Sequence, residues 1–86
     1  MLVLSNREFN ARSDAFIVCG ITADLSNEAY SILIDKSDLA RGRLPAPSRI
    51  KVSRVATLLQ SLAVHTVGHL KPEALARARK ELFALL

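Results

Sequence analysis

An uninterrupted run of eight uncharged residues, AFIVCGIT at positions 15 to 22, sets the main limit on the fold of this chain of 86 residues. Its apolar and β-branched content is typical of a strand that is buried on both faces. The run ends at Gly20 and Thr22, a place where a side chain commonly meets a ligand or forms a turn. The sequence therefore predicts a central buried strand and leaves open whether Thr22 serves a site or only the turn.

A second strand is predicted by the alternation in RIKVSRV, residues 49 to 55. Ile50 and Val52 face one way, while Arg49, Lys51 and Ser53 face the other. One face of this strand is expected to pack in the core, and the other is basic. Shorter strands are predicted at residues 1–5 (MLVLS), 29–34 (AYSILI) and 65–70 (HTVGHL).

A C-terminal helix is predicted from Pro72 onward. Proline suits the first helical position and Glu73 the first turn, and an apolar stripe would face the core. That stripe comprises Leu75, Ala78, Leu82 and Leu85 or Leu86. Residues 6–14, 23–28 and 35–48 are predicted connections, the last of them mobile, and residues 56–64 a helical turn or bend. The sequence predicts a single domain over residues 1–86 with short strands and a terminal helix, which is either an α+β fold or a mostly β, barrel-like fold.

The charge is distributed unevenly along the chain. Residues 1–40 hold three basic and six acidic side chains, residues 41–86 hold nine basic and two acidic ones, and the net charge is +4. Five of the basic residues, Arg41, Arg43, Arg49, Lys51 and Arg54, occur without an intervening acid, a pattern that attracts phosphate or an acidic protein. The alternative is a solvated face. The four aromatic residues are scattered, so the stacking platform of many single-strand binders is not predicted.

Several classes of protein are disfavoured by the sequence. The apolar runs are too short to cross a bilayer, and the N-terminus does not have the form of a secretory leader. The one cysteine, Cys19, excludes an internal disulfide and favours a buried thiol in a reducing cytoplasm. His65 and His69 would lie about 13 Å apart on a strand, so no metal site and no cofactor are predicted. A chain this small buries a modest fraction of its surface, which favours a partner.

Four segments, read in order, resemble the PemK and MazF family of toxin endoribonucleases over essentially the whole chain. They are LVLSNREFN, FIVCGIT, SRIKVSRVATL and VGHLKPEALARARKELFALL. Gly20, Ile21 and Thr22 match the family's short box ending in Ile-Thr. Ser48 and Thr57 match a later Ser and Thr, and Gly68, Leu70 and Leu75 match the pattern that leads into the terminal helix.

The resemblance implies an SH3-like β-barrel with a C-terminal helix. It also implies a cytoplasmic homodimer that cleaves single-stranded RNA without a metal and is neutralised by a cognate antitoxin. Thr22 would hydrogen-bond the scissile phosphate as a catalytic residue, with a turn threonine as the structural alternative. Arg49, Lys51 and Arg54 are predicted to bind the RNA backbone, and Arg7 and Arg12 are further candidates on the loop after the first strand.

One departure from the family pattern qualifies this expectation. The family has a further N-terminal strand and a loop ending in Arg-Pro, whose arginine is its principal acid or base, whereas this sequence begins after that place. We therefore expect an N-terminally shortened barrel with weak or absent nuclease activity. The alternative is a non-catalytic binding module that dimerises or sequesters an antitoxin. Gyrase-poisoning relatives are disfavoured, because their C-terminal residues have no match here.

Overall fold

The structure, a computed structural model, describes residues 1–63 and 68–86. These residues form six strands, two α-helices and two 3-10 turns. In chain order they are β1 (Leu2–Val3), α1 (Arg7–Arg12), β2 (Ala15–Thr22), β3 (Ser31–Ile34), a 3-10 turn (Lys36–Asp38), β4 (Leu39–Gly42), β5 (Ser48–Leu59), a 3-10 turn (Gln60–Leu62), β6 (Gly68–Leu70) and α2 (Pro72–Leu85). The predicted α+β class is confirmed. His65, with the first part of the predicted closing strand, lies outside the described residues.

The long strand β5 organises the main sheet, whose strand order is β1-β2-β5-β3 with every pair antiparallel. β4 and β6 pair separately. Cys19 of β2 lies opposite Val55, yet the next residue, Gly20, lies opposite Lys51. The three residues 52–54 of β5 therefore have no opposite residue on β2, and such a bulge bends a strand and increases its twist. The sheet consequently curls into a half-barrel.

The hydrophobic core lies on the inner face of this curled sheet. Ile50 and Val52 are fully buried, as their alternation with charged residues predicts. Cys19 is also fully buried, and burial raises the pKa of its thiol to about 11. Cys19 is thus a neutral structural thiol at ordinary pH, as predicted. The other members of this cluster are Leu4, Ile32, Ile34 and Ala78.

The helix α2 covers the core with two residues of the predicted stripe, Ala78 and Leu82, and with Ala74, which lies outside that stripe. Ala74 and Ala78 are buried, and Leu82 packs against the core. Leu86, which the predicted stripe could include, is 89% exposed. The predicted stripe consists mostly of leucines, whereas the two buried alanines allow the helix backbone to come close to the sheet. The predicted start of the helix at Pro72 is confirmed.

Residues 6–14, predicted as a connection, contain the short helix α1. The side chain of Asn6 caps it by accepting a hydrogen bond from the backbone N–H of Phe9 at 2.9 Å. The amide of Gln60, far along the chain, donates to the carbonyl oxygens of Asn10, Ser13 and Ala15 at 2.7 to 3.1 Å. Because α1 has six residues and none is buried, hydrophobic periodicity carries no signal for it.

Residues 35–48 were also predicted as a connection, and they contain a 3-10 turn and β4. Asp35 and Asp38 form a capping box around the turn. Asp38 then contacts the last helix and its lead-in: its carbonyl oxygen accepts from the N–H of Lys71, and its carboxylate pairs with Arg77, both at 2.8 Å. The predicted bend at residues 56–64 is partly wrong, because β5 continues to Leu59 before the second 3-10 turn.

Candidate functional site

A polar surface forms where β2, β5 and β3 lie side by side. Thr22 on β2 pairs with Arg49 on β5, and Ser31 on β3 pairs with Lys51. Cross-strand partners project to the same face of an antiparallel sheet. All four side chains therefore lie on the face opposite to the core residue Ile50. We call this surface, with Arg54, the polar face.

Arg54 reaches the polar face because of the bulge in β5. Strict alternation would place it on the same side as the core residues Ile50 and Val52. Instead, Arg54 lies over the side of Gly20 from which a side chain would project. Its Cβ and Cδ are 3.6 and 3.7 Å from the position that a Cβ atom on Gly20 would occupy. The aliphatic part of Arg54 thus lies against Gly20, next to the partner residue Lys51. The structure brings together the three predicted RNA-binding residues of this segment.

Arg49 is the most unusual residue of the polar face. It is 9% exposed, and its Nη1 donates to Ser31 Oγ at 3.0 Å. Its Nε is buried and has no hydrogen-bond partner among the described residues. Within residues 1–63 and 68–86, no acidic side chain lies within 4.0 Å of the guanidinium. A guanidinium is always charged in proteins, and an uncompensated buried charge is strongly destabilising. Arg49 is therefore a site at which an anion would be stabilised.

Lys51 and Ser31 connect the polar face to the loop between β2 and β3. The Lys51 ammonium, whose side chain is 13% exposed, pairs with Glu28 Oε1 at 3.0 Å. Ser31 Oγ donates to the backbone carbonyl oxygen of Glu28 at 2.6 Å. The same hydroxyl oxygen accepts the hydrogen bond from Arg49. Glu28 is thereby fixed close to both cations.

Thr22 occupies the end of β2 and is half-buried. Its Oγ1 accepts a hydrogen bond from the backbone N–H of Asp24 at 3.1 Å. The turn contact that the sequence offered as the structural alternative is therefore present. It uses the hydroxyl as an acceptor only, and a hydroxyl can also donate one hydrogen bond. Both roles of Thr22 are compatible with this geometry.

Comparison with known proteins identifies the family. The whole chain, residues 1–86, matches the family described as PemK-like, MazF-like toxin of type II toxin-antitoxin system. The chain belongs to the PemK/MazF toxin family. The resemblance read from the four sequence segments is thus confirmed.

Solved structures support the fold of this PemK/MazF chain. It is similar to a crystal structure of an Mtb toxin, with a TM-score of 0.83 and 15% sequence identity over 99% of this chain and 89% of that chain. It is also similar to the Mycobacterium tuberculosis toxin MazF-mt6, with a TM-score of 0.76 and 21% identity over 96% of this chain and 83% of that chain. At these identities the likeness shows the fold alone. No curated protein matches the sequence significantly.

The other two predicted RNA-binding residues of this PemK/MazF chain lie elsewhere. Arg7 and Arg12 are on α1, and Arg12 forms an exposed ion pair with Glu8 at 3.6 Å. The segment before α1 is joined to β2 at Ile17, whose carbonyl oxygen accepts from the N–H of Leu4. Five residues of strand, about 17 Å, separate this point from Thr22. A role for Arg7 and Arg12 in RNA binding stays a prediction, at the opposite end of β2 from the polar face.

The remaining residues of the quoted PemK/MazF boxes have structural contacts. Ser48 is buried and donates to the carbonyl oxygen of Ala46 at 3.1 Å, and Thr57 pairs with Ile17 away from Thr22.

None of the helices in residues 1–63 and 68–86 has both the length and the apolar character that crossing a membrane requires. Those residues also contain no cluster of three or more His, Cys, Asp or Glu side chains suited to holding a metal ion.

Ser31 and Glu28 were not predicted from the sequence to belong to the candidate site. Ser31 carried a weak signal, because it alternates with Ile32 within a predicted strand. Glu28 carried none, because it lies in a loop whose path depends on contacts with β3 and β5. Both residues enter the site only when three strands are assembled.

Proposed function

We propose that this PemK/MazF toxin is an endoribonuclease that cleaves single-stranded RNA without a metal. The observation that carries the proposal is the buried Arg49 guanidinium, which lies beside Thr22 and has no carboxylate partner in the part of the chain that the structure describes. A guanidinium donates several parallel hydrogen bonds in a geometry that matches phosphate oxygens. The alternative ligand for such a group, a protein carboxylate, is not supplied by the described residues.

The chemistry follows from the RNA itself and from these donors. The ribose 2′-hydroxyl attacks the adjacent phosphorus, the bond to the 5′-oxygen breaks, and the products are a cyclic phosphate and a 5′-hydroxyl. Negative charge builds on the non-bridging oxygens during the attack. In this proposal, Arg49 and the Thr22 hydroxyl donate to these oxygens, which lowers the barrier by stabilising charge in the transition state. Because Arg49 Nε is buried, neighbouring atoms have to move before a phosphate reaches it.

Lys51 and Arg54 have a different role in this proposal. Their positions on the same face suit contacts with phosphates next to the scissile one. Such contacts supply affinity and orient the strand, and they carry little sequence information. The RNA target sequence would then depend on other surfaces. The type II family also implies a protein antitoxin as a partner, and we propose that the toxin acts as a homodimer in the cytoplasm.

The test is to incubate the purified chain with an unstructured RNA in the presence of a chelator and to map the new 5′ ends. Discrete cuts that disappear in Thr22→Ala and Arg49→Gln would support the proposal. Arg49→Lys keeps the charge but loses the fork of donors, and we expect it to recover only part of the activity. Intact RNA, with protein shown to be folded by circular dichroism, would overturn the proposal.

A second candidate function is a non-catalytic module that binds an antitoxin. One observation favours it: the outer side of α2 has a shallow apolar groove bordered by two cations. Pro72, Leu75, Ala76, Arg79, Lys80 and Phe83 line the groove. Phe83 is 73% exposed, and an apolar, basic surface of this kind suits an acidic segment with apolar side chains. Antitoxin binding by a chain that leaves RNA intact would favour this function.

A further inference from the structure

The proposed cleavage needs a group that accepts the proton of the 2′-hydroxyl. Most side chains of the polar face cannot do this. Arginine and lysine side chains are hydrogen-bond donors without an acceptor atom, and the Thr22 hydroxyl is too weak a base. Among the described residues that adjoin the face, the carboxylates of Asp24 and Glu28 are the available acceptors. The structure distinguishes between these two.

Asp24 is already engaged by its own loop. The hydroxyl and the backbone N–H of Ser26 donate to Asp24 Oδ1 at 2.7 and 3.0 Å. These two bonds, with a smaller contribution from Lys51, hold the pKa of the Asp24 carboxyl below its ordinary value. A carboxylate that is stabilised in this way is a weaker base. Asp24 is therefore poorly suited to take a proton from RNA.

Glu28 differs from Asp24 in the number of hydrogen-bond donors on its carboxylate. Its carboxylate contacts Lys51 through Oε1, and the structure places no other donor on that carboxylate within residues 1–63 and 68–86. Its backbone carbonyl oxygen is held by the Ser31 hydroxyl, which also accepts from Arg49. One side chain thus fixes both the proposed phosphate ligand and the backbone that carries the carboxylate. The second carboxylate oxygen, Oε2, accepts no hydrogen bond from the described residues.

We propose that Glu28 is the proton acceptor of the reaction and that Lys51 holds its carboxylate in place; this inference rests on the proposed function. In the step, a Glu28 carboxylate oxygen takes the proton of the 2′-hydroxyl as the bond from the 2′-oxygen to phosphorus forms. The bond from phosphorus to the 5′-oxygen breaks, and that oxygen takes a proton from water. The resulting hydroxide removes the proton from Glu28, so the enzyme is regenerated.

The experiment compares Glu28→Gln with Asp24→Asn, which makes the same chemical change on the other carboxylate of the loop. RNA cleavage rates are measured beside the affinity for an oligonucleotide that carries a 2′-deoxy sugar at the mapped cut and cannot be cleaved. We expect Glu28→Gln to lose about 10²- to 10⁴-fold in cleavage rate, the usual contribution of a general base. Its affinity for the 2′-deoxy oligonucleotide should be equal or higher, because Lys51 gains a free ammonium. Asp24→Asn should stay within about twofold of the wild type in both measurements.

The dependence of the rate on pH gives a readout that a purely structural role would not change. Lys51 on β5 contacts the Glu28 carboxylate, and Arg49 is joined to the Glu28 backbone through Ser31. Asp24 lies on the same loop, and Lys51 also acts on its carboxyl group. The pH dependence of the wild-type rate should persist in Asp24→Asn and be lost in Glu28→Gln. Glu28→Asp should recover part of the rate.

Two results separate this inference from the proposed function. If the wild type leaves RNA intact, both fail together. If the wild type cleaves and Glu28→Gln cleaves equally fast or faster, only the role of Glu28 is overturned. In that case Glu28 is a carboxylate that occupies Lys51 until a phosphate displaces it.

Discussion

Thr22 and Arg49 are direct cross-strand partners at the end of β2, and among residues 1–63 and 68–86 the buried guanidinium of Arg49 has a single hydrogen-bond partner, the hydroxyl of Ser31. A buried charge with one neutral partner is destabilising by itself, because the lost hydration is not replaced. The fold retains it beside a hydroxyl that can donate. This arrangement therefore indicates a site for an anion that accepts hydrogen bonds from both side chains.

Removal of the Arg49 charge tests this directly and without any cleavage assay. We expect Arg49→Met to unfold at the same temperature as the wild type or higher in low-salt buffer, because an uncompensated buried charge is removed. Added sulfate should then stabilise the wild type more than the variant, by about 2.7 kcal/mol at 100 times the dissociation constant. Thermal unfolding in a sulfate series measures both effects. Arg79→Met on α2 is the control for general salt effects, and equal sulfate responses in all three proteins would contradict an anion site.

Charge reversal at Lys51 and Arg54 should weaken RNA binding and flatten its dependence on salt. Each contact with a phosphate of a single strand contributes a slope of about −0.7 in the logarithmic plot, so the double change should reduce the slope by about 1.4. Binding of a 2′-deoxy oligonucleotide at several salt concentrations gives this slope. The double variant Arg79→Glu with Lys80→Glu, on the exposed side of α2, makes the same change in net charge but lies off the polar face. An unchanged slope in the double variant would remove Lys51 and Arg54 from the RNA interface.

Gln60 should have a large effect on stability for a polar residue. Its amide donates to three carbonyl oxygens that join α1 to the start of β2. Gln60→Ala leaves these carbonyls without that donor, and we expect a loss of about 1–3 kcal/mol in the free energy of unfolding. Gln60→Glu should be worse, because it places an acceptor against three acceptors. Urea denaturation gives these values, with the exposed neighbour Ser61→Ala as control, and a Gln60→Glu protein as stable as the wild type would refute the contact.

The buried thiol of Cys19 predicts a loss of stability in alkali. Its pKa is raised from 9.0 to about 11, because burial disfavours the thiolate. A raised pKa in the folded state means that the associated stability is complete below pH 9 and is lost as the pH rises toward 11. Thermal unfolding of the wild type and of Cys19→Ala across this range should therefore converge as the pH increases. Parallel curves would show that Cys19 does not titrate differently in the folded state.

The parts of the fold that could be predicted are those with a local pattern. The eight uncharged residues of β2 and the alternation at Arg49, Ile50 and Lys51 are sufficient to identify two strands and the direction of their side chains. The helix α1 and strand β4 depend on partners distant in sequence: Gln60 for the first and β6 for the second. No periodicity within such short segments can reveal these partners.

The residues of the candidate site also divide into those that the sequence predicts and those that depend on contacts between distant segments. Thr22 came from the family resemblance, and Arg49 and Lys51 from their strand. Arg54 is predicted to bind RNA because of its charge. It reaches the polar face only through the bulge in β5, which no pattern in the sequence indicates. The loop residue Glu28 is defined by its contacts with Ser31 and Lys51, which exist only in the folded protein.

The shared hydroxyl of Ser31 makes the order of the loop and the occupancy of the guanidinium interdependent. It holds the Glu28 carbonyl oxygen on one side and Arg49 on the other. Thermodynamic reciprocity then applies: if an ordered loop raises the affinity of Arg49 for an anion, a bound anion must favour the ordered loop by the same factor. A protein that binds this loop would thus change the affinity for RNA without contacting the phosphate. Bound RNA would change the affinity for that protein by the same factor.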